Sequence, residues 1–112
     1  MKAVFIDAEH GKLENIEINF SGRCRLGEFY DKIGNGCQFV QAVPFDDEND
    51  LVCDEEVALR GEVRFGFRYI RNNEVVYDAL GNAIVVGRGE EDWADTTTTA
   101  EDVSKKIKFF TF

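Results

Sequence analysis

Residues 83–87, Ala-Ile-Val-Val-Gly, form an unbroken apolar run rich in β-branched side chains and closed by a glycine. Side chains of that kind are stiff about χ1 and suit extended backbone. A strand with one wet face alternates apolar and polar residues, whereas a run without alternation suits a strand buried on both faces. Residues 83–86 are therefore expected to form a central strand, and the rest of the chain is read for the elements that flank it.

Strict alternation marks the other strands. Residues 2–7 and 13–20 read as a hairpin with His10-Gly11 at its tip; from Ile16 to Phe20 the order is apolar, polar, apolar, polar, apolar. Residues 38–45 and the short return 51–53 flank the polar break 46–50. Val63, Phe65, Phe67 and Tyr69 alternate with Arg64, Gly66 and Arg68. Gly66 in mid-pattern fits a strand, with room for a bulge. Residues 74–77 and 108–112 complete the set of strands. The period changes at Leu26, Phe29, Tyr30 and Ile33, which share one helical face, so a helix is expected over 24–33, capped by Gly34-Asn35-Gly36. Thr98 before Glu101 and Thr99 before Asp102 both have capping-box spacing, which starts a second helix over 99–106. Residues 54–62 follow neither period. The expectation is one α+β domain over residues 1–112, built as one mostly antiparallel sheet with two short helices.

Composition narrows the function classes. The 112 residues carry 22 acidic and 13 basic side chains, a net charge of −9. That balance repels phosphate backbones and anionic membranes at long range, so direct nucleic-acid binding and membrane association are not expected. No apolar run approaches the roughly 20 residues of a membrane span, and the opening Met1-Lys2-Ala3-Val4-Phe5-Ile6-Asp7 is too short for a signal-peptide core. A cytoplasmic protein is the expectation. The odd cysteine count (Cys24, Cys37, Cys53) fits that setting and does not fit a secreted disulfide framework.

The chemical motifs are weak. A zinc site would have to recruit all three cysteines and His10, the sole histidine, so no metal or cofactor is expected. Gly87-Arg88-Gly89 lacks the third glycine and the long helix of a dinucleotide fingerprint. Counted from Asp46, the sixth position of a calcium loop is Leu51 where glycine is needed. Phe65-Gly66-Phe67-Arg68-Tyr69 is similar to the aromatic strand of RNA-recognition domains, but Val63-Arg64 do not fit what should precede it. Any catalytic triad would rest on His10 at a hairpin tip, so no enzyme is expected.

Several segments together resemble a known family. They are the opening 1–7, the Phe-Tyr helix ending in Ile33-Gly34, residues 50–56, the strand Arg64-Phe65-Gly66-Phe67, residues 81–87 and the terminal Thr-initiated helix. The chain is similar to small uncharacterised proteins of phages, plasmids and gut bacteria, domain-of-unknown-function family 3846. Residues 72–78 depart from that pattern. The resemblance implies a mobile-element setting and a single intracellular domain, and it transfers no catalytic residue.

Two functional surfaces remain. Asp46, Asp47, Glu48, Asp50, Glu90, Glu91 and Asp92 lie in expected loops, where binding residues concentrate. They suit a non-enzymatic protein that meets a basic macromolecular partner, such as a host-defence or DNA-handling protein. The alternative is a small-ligand domain, with Arg64 and Arg68 on one strand face holding a nucleotide or another anion.

Overall fold

The apolar run does form a central strand. In the computed structural model, which describes residues 1–21 and 25–112, it is β7 (Ala83–Arg88). The elements before it are β1 (Lys2–Asp7), β2 (Lys12–Glu17), α1 (Gly27–Ile33), β3 (Val40–Pro44), β4 (Asn49–Asp54), α2 (Val57–Arg60), β5 (Phe65–Arg71) and β6 (Glu74–Leu80). After it come β8 (Trp93–Ala94), α3 (Ala100–Ser104) and β9 (Ile107–Thr111).

The main sheet has the order β2-β1-β7-β4-β3, with β8 paired to the far end of β7. All its ladders are antiparallel, and Val85 stands opposite Val4 on one side and Leu51 on the other. The side chains of β7 alternate between two cores. Ala83 and Val85 enter a cluster with Phe67, Tyr69, Val103 and Ile107. Ile84 and Val86 enter another with Phe29 and Ile33 of α1. Both faces are thus covered, one by α1 and the other by a second layer of strands.

That second layer corrects the expectation of one sheet. Among the described residues there are two sheets, the smaller ordered β6-β5-β9. Its central strand β5 keeps apolar and polar residues in alternation, so only one face of that strand is buried. Phe67 and Tyr69 point inward and are buried, while Arg64 and Arg68 stay exposed. Such a sheet lays its apolar face on the main sheet instead of extending its edge.

The helix count is corrected as well, to three among the described residues. The addition, α2, falls in residues 54–62 and is only four residues long, too short to display a helical period. The helix expected over 24–33 begins at Gly27, and residue 24 lies outside the described residues. The helix expected over 99–106 spans Ala100–Ser104, with the Thr99 side chain accepting from the N–H of Asp102, as the capping spacing requires. The strand expected over 13–20 ends at Glu17, and the short strand Trp93–Ala94, which no sequence period marks, pairs with β7.

Gly66 is demanded by close approach. A Cβ there would lie 2.1 Å from the carbonyl oxygen of Ala79 on β6. The register shift falls between Tyr69 and Ile70 and not at the glycine. Among the described residues no helix is long and apolar enough to cross a membrane.

Candidate functional site

The two acidic loops are far apart in sequence and adjacent in space. The β3–β4 turn and the β7–β8 turn lie at the same end of the main sheet, because Asn49 pairs with Gly87. The N–H of Arg88 donates to the carbonyl of Glu48 at 2.8 Å and ties the loops together.

Three of the seven carboxylates are engaged internally. Asp46 Oδ1 accepts from the N–H groups of Glu48 and Asn49, both at 2.8 Å, and from Asn49 Nδ2 at 2.9 Å. This is the Asx arrangement by which a short acidic side chain closes a turn. Burial works against ionisation of Asp46, but these hydrogen bonds and the charge of Lys106 outweigh it and hold the carboxyl below its ordinary value of 3.8. Asp50, expected in a loop, lies within β4 because the strand begins at Asn49, and it receives Arg88 Nε at 3.1 Å. Asp92 pairs with Arg25 and accepts the N–H of Trp93 at 2.9 Å; the Arg25 hydrogen bond is the main reason its pKa is lowered. The other four, Asp47, Glu48, Glu90 and Glu91, are exposed and make no ion pair among the described residues. The acidic end therefore has a bonded base and a charged rim.

The residue that organises this end was not apparent from sequence. Asn49 is fully buried. Its amide nitrogen donates to Asp46 and to Thr97 Oγ1 (2.9 Å), and its amide oxygen accepts from Thr96 Oγ1 (2.6 Å) and the N–H of Thr97 (3.1 Å). Its carbonyl accepts from the N–H groups of Phe45 and Asp46 and from Arg88 Nη2 at 3.2 Å. In the sequence it is one polar residue in a polar break, and its Thr partners lie 47 and 48 positions away. A buried amide that uses both ends in this way fixes loop geometry, because any departure strands polar groups without water.

The arginine face is arranged differently. Arg68 Nε and Nη2 donate to the two oxygens of Asp78 at 2.8 and 3.1 Å, straight across the β5–β6 ladder. That bonding raises the guanidinium pKa and lowers that of Asp78. Arg64 lies with its guanidinium carbon 5.8 Å from the centroid of the Phe112 ring. The backbone between them is paired on both edges, by β6 and β9, so it offers no open strand edge beside the arginines. The two residues lie on an open sheet face, beside a shallow cleft of about 340 Å³ lined by Arg68, Asp78, Lys108, Phe109 and Phe110.

A more enclosed cleft, about 380 Å³, lies between β3–β4 and β6, lined by Val43, Leu51, Cys53, Tyr77, Ala79 and Leu80 among others. Burial pushes the Cys53 thiol up and favours its protonated form in the wall of this cleft. Cys37 is half-buried, and Cys24 lies outside the described residues. His10 sits at the hairpin tip with Nδ1 2.9 Å from Asp7 Oδ2.

No curated protein and no solved structure matches the chain. The family model described as Domain of unknown function (DUF3846) matches residues 1–108, and the chain belongs to that family.

Proposed function

We propose that this chain is a non-enzymatic interaction protein of a mobile element, which meets a basic surface of a host macromolecule with the acidic end of its main sheet. The reading is carried by one observation: two acidic loops remote in sequence are locked together through Asn49 and Arg88, with Asp47, Glu48, Glu90 and Glu91 left exposed at the rim. Fixed carboxylates on a rigid support lose little entropy when they meet a partner. Their summed field also steers a basic surface into contact. A groove built to hold nucleic-acid phosphates is a partner of that kind, which is why an anti-defence or DNA-mimicking role fits.

The pocket alternative around Arg64 and Arg68 has less support. The Arg68 fork is occupied by Asp78, and the two arginines lie on an open face. The test is reversal of the rim. A variant carrying Asp47→Lys, Glu48→Lys, Glu90→Lys and Glu91→Lys should melt within a few degrees of the parent, since exposed loop changes stay within about 0.5 kcal/mol each. It should no longer retain a host protein that the parent retains in pull-down. Undiminished retention by a folded variant would overturn the reading.

A further inference from the structure

Charge is distributed unevenly in this molecule. The strands of the smaller sheet with the residues that adjoin them, 64–71, 74–80 and 107–112, hold four basic side chains (Arg64, Arg68, Arg71 and Lys108) and two acidic ones (Glu74 and Asp78). In a chain of net charge −9 this sheet is a locally positive island.

The outer face of that island follows from the register. Lys108 stands opposite Arg68, and Phe110 opposite Gly66. The N–H of Phe112 donates to the carbonyl of Arg64 at 2.9 Å. Successive strand residues face opposite ways, so Lys108, Phe110 and Phe112 form one outward row at intervals of about 6.7 Å. Arg64, Gly66 and Arg68 form the row beside it. The inward positions, Ile107 and Phe109, pack against the core between the sheets. Phe110 and Phe112 therefore stand on the face opposite that core. Phe112 is 66% exposed, and the two ring centroids lie 6.1 Å apart with the planes tilted by 35°. Gly66, itself buried, stands opposite Phe110, and the Arg64 guanidinium lies over the Phe112 ring.

We infer that this face binds single-stranded nucleic acid, with bases stacked on Phe110 and Phe112 and phosphates held by Arg64 and Lys108. Rings alone would suit an apolar peptide, and cations alone would suit any anion. Rings interleaved with cations along two strands suit a polymer that alternates flat bases with negative charge. A duplex hides its base faces and offers the rings nothing. A free mononucleotide can occupy only one ring and its nearest cation. Arg68 is a lesser contributor, because Asp78 already takes its fork. The acidic end of the main sheet repels a polyanion and confines the strand to this island. The inference is independent of the acidic-end proposal, since it uses other residues on the other sheet.

The test is fluorescence anisotropy with labelled ten-nucleotide oligothymidylate and oligouridylate in 50 mM salt. Both should bind, because stacking is tolerant of sequence and sugar. Phe110→Ala with Phe112→Ala should weaken binding by about tenfold or more, within the range for losing one or two stacked bases. Arg64→Ala with Lys108→Ala should weaken it comparably. Phe112→Ala alone, at an exposed site, keeps the test valid should the double ring variant lose its fold. Reversal of Asp47, Glu48, Glu90 and Glu91 to lysine should leave binding intact or tighten it by reducing repulsion. The inference is overturned by no binding of either strand, by undiminished binding of the folded ring variants, by equal affinity for a duplex of the same length, or by thymidine monophosphate competing as well as the strand.

Discussion

β7 and β5 are both central strands, each hydrogen-bonded along both edges, yet they are buried to different extents. Ala83 to Val86 of β7 are all fully buried. In β5, Phe67 and Tyr69 are buried while Arg68 between them is exposed. The difference comes from the layers above and below. β7 has α1 on one face and the smaller sheet on the other, whereas β5 has only the main sheet beneath it. Position within a sheet therefore sets backbone pairing, and stacking of layers sets which side chains are free for other work. The main sheet is open along its edge strands β2 and β3 and at the end where the acidic loops lie. The smaller sheet is open on the face that carries Arg64, Arg68 and Lys108.

Substitutions can break this comparison, and the largest effect is expected at Val85. Val85→Asp places an unpaired charge between two packed layers, a change that costs several kcal/mol, roughly 3–5. The variant should be unfolded by circular dichroism; a soluble variant with the parent spectrum would show that β7 is not enclosed. On β5 the outcome should depend on the face. Phe67→Ala should lose about 3–5 kcal/mol in urea unfolding, as large-to-small core changes do. Arg68→Ala, one residue on, should lose less than about 1 kcal/mol, because exposed ion pairs contribute little. Similar losses at both sites would contradict the one-faced burial of this sheet.

A smaller effect sharpens the account of the acidic end. Asn49→Ala strands the hydroxyl of Thr96 and the N–H of Thr97 near a buried site, and should cost about 2 kcal/mol. Protection of the Thr97 amide from exchange should fall first. The smallest effect is in pH dependence. Asp46 is held below its ordinary 3.8 in the folded chain, so its stabilising contribution is complete above about pH 4 and is lost as pH falls through the lowered folded value. Asp46→Asn should therefore flatten the acid limb of stability against pH. An unchanged acid limb would mean that Asp46 is not closing this turn as a carboxylate.

Patterns local in sequence were legible before the structure. The enclosure of β7, the inward face of β5, the Thr99 cap and the hairpin at His10-Gly11 each follow from a period or a turn residue within a few positions. The division into two sheets was not legible, because alternation reports one buried face and says nothing about what covers it. α2 escaped because Val57–Arg60 is a single turn. At the acidic end the carboxylates could be listed from sequence, but Asp46, Asp50 and Asp92 could not be separated from the exposed four. That separation depends on Arg25, Arg88 and Asn49, and the bonding of these residues crosses between loops. Net charge is likewise an average: it combines an acidic sheet end with Arg64, Arg68 and Lys108, which only the β5–β9 pairing brings together.

The most direct test of the proposed function is the association rate of the chain with its retained host partner, measured against salt for the parent and two variants. The first variant reverses Asp47, Glu48, Glu90 and Glu91 to lysine, and the second carries Arg64→Ala with Arg68→Ala. Steering by the acidic rim predicts a parent rate that falls steeply with ionic strength. The first variant should associate more slowly by about tenfold or more at low salt and lose that dependence, while the second should follow the parent. A parent-like rate in the first variant, together with a collapse in the second, would contradict the account and move the function to the arginine face.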